Sequence, residues 1–339
     1  MIDQSGLTAS PVCPISGAEM KPWLFVPGDW RRPTVSKPFQ LYWCQASQFG
    51  RVYPVPDPSE ITSFYNVDEY YTHGVNPRSS DSVSSVSFLE RLRTQLAWRF
   101  DDGINGWPHD WFHSHFGSTS RFICEIGCGN GKLLEKLREW GHTVYGVEPD
   151  PQARFIAVEE RGLQVFAGTA ESLPPEISLR HYELVIIKHA LEHTVDPVKA
   201  VSNAIKLLAP GGKLVIEVPN NSALEFKFWG IAWFHLDVPR HLNFFTKYSL
   251  HKLCEQLELK LCATEFYGYC RQFTKHHICI EQKIAEILCS LEENNESPQV
   301  KNFNLKSWLL LLQSAFAANE QKYDCVRVIA EKPNGQPTI

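Results

Sequence analysis

The sequence lacks an apolar run long enough to cross a membrane. Its longest, Trp308 to Leu312, falls far short of the ~20 residues a spanning helix needs. Basic charge is not in excess either. A net charge of −5 gives the chain no global attraction for nucleic acid or an anionic membrane. The N-terminus, Met1-Ile-Asp-Gln-Ser, has neither a basic region nor an apolar core, so no secretory signal is expected. Complete C-x-x-C knuckles are also missing. Cys13-Pro-Ile-Ser16 and Cys44-Gln-Ala-Ser47 each end in serine, where tetrahedral zinc would need a second thiolate. No metal is therefore expected. The ten cysteines are scattered, several of them (Cys124, Cys279, Cys325) in apolar runs. That suits reduced, buried thiols and a cytoplasmic protein better than a disulfide framework.

What is present is an α/β signature. Phe122 to Ile126 is a short apolar run of the kind that forms a buried strand. Gly127, Gly129 and Gly131 follow at once, and Leu133, Leu134 and Leu137 then share one helical face. A second strand, Thr143 to Val147, ends in Glu148. Glycines at a strand exit remove Cβ atoms and allow positive φ, so backbone can touch a ligand. An acid at the end of the next strand can accept hydrogen bonds from ribose hydroxyls. A dinucleotide fingerprint would place its third glycine at position 132, which is Lys. Here that glycine comes one residue earlier, and Glu125 stands two before the first. A carboxylate there repels pyrophosphate and suits a ligand bearing an ammonium group.

This Glu-x-Gly-x-Gly-x-Gly pattern resembles motif I of class I S-adenosylmethionine (SAM) methyltransferases. Two further stretches resemble the branch related to ubiquinone O-methyltransferases. One is the strand exit at Lys188-His-Ala-Leu-Glu-His193-Thr-Val-Asp-Pro197; the other is the Ala209-Pro-Gly-Gly212 turn before the fifth strand. The resemblance implies a Rossmann-like seven-stranded α/β sheet with an antiparallel strand seven, and SAM as cofactor. Glu125, Gly127, Gly129 and Gly131 would hold its methionine end, and Glu148 its ribose. Thr169, Ala170 and Glu171 would lie at its adenine edge, although the family commonly has an acid at the position of Thr169. Lys188 is counted with the cofactor-binding residues. The absence of an Asp/Asn-Pro-Pro-Tyr/Phe tetrapeptide counts against methylation of DNA bases.

The acceptor side is read from residues 220–245, where aromatics are interleaved with His235, Asp237, Arg240 and His241. The segment Asp237-Val-Pro-Arg-His-Leu242 resembles a box in one branch of the family. A hydroxyl nucleophile needs a base near neutral pKa, which histidine supplies. His241 is the first choice and His193 the second. His189, Glu192 and His193 offer the mixed N and O ligands of a divalent-metal triad; loop shaping is preferred for them. The expected reaction is methyl transfer to a small molecule, at a hydroxyl oxygen before nitrogen or carbon. A SAM-binding scaffold without catalysis is the alternative.

Residues 1–80 resemble a small zinc-ribbon module that has lost its metal, and 81–120 a linker with a capping helix. Residues 121–332 form the methyltransferase domain, with a helical insertion at 268–322 read as a lid or the surface of a homodimer. The aromatic cluster at 103–120 is read as packing between two domains. A helix is expected over Pro151 to Arg161.

Overall fold

The computed structural model describes residues 10–35, 37–65, 87–101, 103, 106–291 and 302–334. The segment Asp68–Tyr71, the serine-rich link through residue 86 and the polar joint at 292–298 lie outside the described residues.

The chain begins with three antiparallel strands, β1 (Lys21–Val26), β2 (Phe39–Cys44) and β3 (Phe49–Val52). Alternation turns Phe39 and Leu41 of β2 into one core cluster, while Cys44, of opposite parity, is buried in another with Cys13 and Phe49. The two Cys-x-x-Ser turns meet thiol to hydroxyl. Cys13 Sγ lies 3.1 Å from Ser47 Oγ, and Ser16 Oγ lies 3.3 Å from Cys44 Sγ.

The main sheet takes β4 (Phe122–Ile126), β5 (Thr143–Val147), β6 (Gln164–Phe166), β7 (Tyr182–Lys188) and β8 (Leu208–Pro219) in parallel. A two-residue strand, β9 (Asn243–Phe244), leaves this domain and pairs with β3. It completes a four-stranded sheet, so the N-terminal module is not closed by residues 1–80 alone. β10 (Lys260–Tyr267) and β11 (Cys325–Glu331) finish the seven-stranded sheet, in the order β10-β11-β8-β7-β4-β5-β6. Only β11 runs against its neighbours. Leu184 to Ile187 of β7 are wholly buried, as a central parallel strand covered on both faces requires.

Several expectations are corrected. The 103–120 aromatics do not sit between domains. Trp107, Trp111, Phe112 and Phe116 pack on the main sheet with Ile123, Leu184 and Val215. The Arg327 guanidinium lies over Trp107 and Trp111, 4.9 and 4.3 Å from their ring centres. The helix at 151–161 is α only over Pro151–Phe155, capped by Asp150, and widens to a π turn over Ile156–Glu160. The wider turn sets Ala157 beside Leu163 and Gly131. Cys124 and Cys325 are buried, but Cys279 is exposed on helix Lys275–Leu291.

Candidate active site

The glycine turn leaves β4 with φ of +75°, +54° and +78° at Gly127, Gly129 and Gly131. A Cβ on Gly127 would stand 2.4 Å from Ala190 Cβ; one on Gly131 would stand 2.4 Å from Leu163 Cδ1. Sterics therefore demand glycine at both positions, apart from the sign of φ. The turn is fastened to the next strand, because the Gly127 amide donates to the Val147 carbonyl at 2.8 Å.

Glu148 ends β5 and receives two backbone amides, Gly129 at 2.7 Å and Asp150 at 2.8 Å. Each carboxylate oxygen keeps a further lone pair for a ligand hydroxyl. Glu125 is 3% exposed, and its Oε2 has no hydrogen-bond partner among the described residues. Burial pushes its pKa up to about 8, against the pull of the nearby Lys188 ammonium. An unsatisfied buried carboxyl is costly. A ligand ammonium beside it removes that cost, so the residues present fit the amino acid end of SAM.

Lys188 ends β7 and pairs with Glu217 at 3.2 Å. Glu217 is also held by Arg327 Nε at 2.7 Å and Trp107 Nε1 at 3.2 Å. In the loop after β6, Thr169 is exposed and its hydroxyl accepts from the Ser172 amide. The Ala170 carbonyl accepts from Asn203, and the Glu171 carboxylate accepts from the Val195 amide at 2.7 Å. Ala170 thus holds the loop against helix Pro197–Leu207, and Glu171 against the turn that opens it.

The exit of β7 carries the second half of the site. His189 has φ +48°, its amide donates to the Glu217 carbonyl, and its Nε2 meets Tyr267 Oη at 2.9 Å. The one-turn 3₁₀ segment Leu191–His193 follows. Glu192 is buried, and burial pushes its carboxyl to about 8. His193 Nδ1 lies 3.0 Å from both the Arg240 carbonyl and Tyr65 Oη. His241 Nδ1 lies 2.8 Å from the His235 carbonyl. The two rings stand 4.7 Å apart at 78°. Donor atoms of Glu192, His193 and His241 lie within 4.8 Å of one another. The grouping differs from the His189–Glu192–His193 triad read in the sequence, since His241 takes the place of His189.

The expectation of a base near neutral pKa is also corrected. Burial lowers the pKa of His193 to about 4 and that of His241 well below the usual imidazole value. Both rings are neutral at pH 7, with a free nitrogen lone pair. Arg240 positions this corner, a role that its place among the loop aromatics does not reveal. Its guanidinium is wholly buried and contacts Asp29, Asp237 and the Phe64 carbonyl.

Residues 91–264, just over half the chain, match the family described as a methyltransferase domain. The ubiquinone biosynthesis O-methyltransferase of Azoarcus sp. (strain BH72) is 26% identical over 176 residues, 49% of this chain and 76% of that protein. The protein of the same name from Caulobacter sp. (strain K31) is 31% identical over 172 residues, 49% of this chain and 64% of that one. Among solved structures, the N-methyltransferase NodS from Bradyrhizobium japonicum, in complex with S-adenosylhomocysteine, aligns with a TM-score of 0.41 at 15% identity. That alignment covers 81% of this chain and 98% of NodS. With its glycine turn, its two strand-end acids and its single antiparallel strand, the chain belongs to the methyltransferase domain family, as a class I SAM-dependent methyltransferase.

Proposed function

We propose that the methyl group is delivered to a hydroxyl oxygen of a small organic molecule, and that the corner formed by Glu192, His193 and His241 receives that hydroxyl. One observation carries the reading. Two neutral imidazoles stand side by side at the carboxyl edge of the sheet, each with Nδ1 committed to a backbone carbonyl. The free lone pair of each ring is therefore on Nε2. Ala190, which faces Gly127, stands two residues before Glu192, so acceptor and donor sites adjoin. The names of the relatives, which specify O-methyl transfer, support oxygen over nitrogen.

Glu125 and the turn amides hold the amino acid end of SAM, Glu148 its ribose, and the loop at Thr169, Ala170 and Glu171 its adenine. Lys188 tempers the negative field between Glu125 and Glu217. When bound, SAM supplies an electrophilic methyl carbon on a sulfonium. The protein's part is to align the acceptor oxygen with that carbon and to accept its proton. His241 is the proposed proton acceptor, with His193 beside it. The N-terminal module over residues 1–80 backs the acceptor loop, residues 81–120 link and cap, and 268–322 form the helical insertion of the 121–332 domain. The reading includes a cytoplasmic protein and a homodimer built on that insertion, which sedimentation of the purified chain tests.

The decisive assay incubates the purified chain with radiolabelled SAM and a panel of phenols, catechols and amines. Label in a phenol or catechol, reduced ~10²-fold or more by His241→Ala, is expected. Label confined to amines overturns the oxygen assignment. SAM binding without transfer to any acceptor favours a scaffold.

A further inference from the structure

We infer that the methyl acceptor carries a carboxylate, and that Arg271 receives it. This rests on the reading of the Glu192–His193–His241 corner as the acceptor site, and assigns a second group to the molecule that enters there.

Arg271 stands in the short 3₁₀ segment Cys270–Phe273, just past β10. One acid holds its guanidinium along an edge. Nε donates to Asp324 Oδ2 at 2.6 Å, and Nη2 donates to Asp324 Oδ1 at 2.7 Å. Nη2 also meets His235 Nε2 and Cys325 Sγ, each at 3.0 Å. Nη1 carries two further N–H groups, and no described residue takes a hydrogen bond from it.

Its exposure is that of a cleft wall. Asp324 and Cys325 are wholly buried and His235 nearly so, yet the Arg271 side chain is 39% exposed. Lys188 and His189, at the exit of β7, are 30% and 25% exposed, while Glu217 and Glu192 beside them are buried. These groups share the carboxyl edge of the sheet. Cys325 pairs with Pro219, the last residue of β8, and Tyr267, at the end of β10, meets His189 Nε2 with its hydroxyl at 2.9 Å. The Arg271 charge is felt at both His189 and Tyr267. His235 joins Arg271 to the acceptor corner: its ring meets the guanidinium, and its carbonyl holds His241 Nδ1 at 2.8 Å.

The chemistry singles out an anion. Arginine keeps its charge at every working pH and does not serve as a base. Asp324 occupies the Nε and Nη2 edge and so fixes where the remaining N–H groups point. Those groups suit the planar oxygens of a carboxylate. Lys188 is already paired with Glu217 at 3.2 Å, whereas Arg271 keeps donors to spare. Glu192 does not oppose an anion, because burial raises its carboxyl to about 8 and leaves it mostly uncharged at pH 7.

The test supplies the full-length chain and radiolabelled SAM with acceptor pairs that differ by one carboxylate: 4-methylcatechol against 3,4-dihydroxyphenylacetate, and tyramine against tyrosine. The carboxylated member of a pair is expected to show a kcat/KM at least ~tenfold higher, as one charge-assisted contact provides. Arg271→Gln should bring that ratio to about one, chiefly through the KM of the carboxylated acceptor. Arg271→Lys should keep part of it. Since Arg271→Gln strands the buried Asp324, a second variant, Arg271→Gln with Asp324→Asn, removes both charges. Circular dichroism and SAM titration check the fold of each. A ratio near one in the unaltered chain, or a ratio that survives in either folded glutamine variant, overturns the inference. Mass spectrometry locates the added methyl group. Transfer to nitrogen with the carboxylate preference intact overturns the oxygen reading alone. Transfer to oxygen without that preference overturns the carboxylate alone.

Discussion

Arg240 and Asp29 are joined by a buried two-pronged ion pair, with Nη2 and Nη1 at 2.7 and 2.9 Å from the two carboxylate oxygens. One partner stands in the acceptor loop and the other just past β1. Asp237 contributes a second acid to the same guanidinium at 2.9 Å. Removing one member of a buried pair strands charge in a low dielectric. Asp29→Ala is therefore expected to cost about 3 kcal/mol in urea unfolding. A loss under about 1 kcal/mol would show that Asp237 alone suffices.

Gly127→Ala should cripple cofactor binding. The new methyl meets Ala190 at 2.4 Å, and alanine resists φ of +75°. A fall in SAM affinity of at least ~tenfold is expected by calorimetry, consistent with ~1–2 kcal/mol or more of strain. Ala190→Gly in the same chain should restore only part, because it relieves the contact and leaves the φ cost. Full restoration would mean that backbone strain plays no role.

Glu125 links cofactor affinity to pH. Its carboxyl titrates near 8 in the free protein, raised by burial, and the ligand ammonium favours the ionised form. Between pH 6 and 8, SAM affinity should rise as the carboxylate becomes available. Glu125→Gln should flatten that rise and weaken binding. The same variant should unfold at a higher temperature without ligand at pH 8 and above. The folded pKa is raised, so stability declines as pH climbs through it. A steep pH dependence retained by the glutamine variant would assign the effect to another group.

His277 carries the opposite kind of shift for a base. Burial alone would lower its pKa, but Glu225 at 2.9 Å and Glu281 at 3.5 Å raise it to about 10. The unfolded value is near 6.5, so the stabilisation is complete below pH 6.5 and is lost as pH rises through 10. His277→Gln should destabilise by about 3 kcal/mol at pH 6 and by much less at pH 10. Denaturant curves for both proteins across that range give the comparison. A constant gap would show that the imidazolium charge is immaterial.

The paired Cys-x-x-Ser turns invite a gain of function. Their four side chains already meet, thiol against hydroxyl, at 3.1 and 3.3 Å. Ser16→Cys with Ser47→Cys would supply the two missing thiolates of a tetrahedral site. One zinc ion per chain and a higher melting temperature are expected of the double variant. Atomic absorption after dialysis reads the stoichiometry. No retained zinc would mean that the turns are set at the wrong distance for a metal.

Much of the main sheet was legible in the sequence because its signals are local. The strands Phe122–Ile126 and Thr143–Val147 lie where their apolar runs place them. Thr246 caps helix Lys247–Gln256 as its hydroxyl chemistry predicts. The failures were non-local. Nothing near Asn243 announces that it pairs with Arg51, because two residues carry no periodicity. His241 and Glu192 meet only because a loop folds back on the β7 exit, which no spacing in the chain encodes. The partnership of Arg240 with Asp29 likewise crosses most of the chain. Histidine is the acceptor-side chemistry that the sequence suggests, but the depth of burial that lowers the pKa of His193 and His241 is not legible there.

The excursion of β9 into the N-terminal sheet bears on where the protein can be divided. Cutting the chain after residue 80 would not release a self-contained catalytic unit. The separated N-terminal piece would present β3 with an open hydrogen-bonding edge and no Phe244 against Gly50. The remainder would leave the acceptor loop without the template on which it is wound. The two parts therefore form a single folding transaction, and selection on one reaches the other through a strand of two residues.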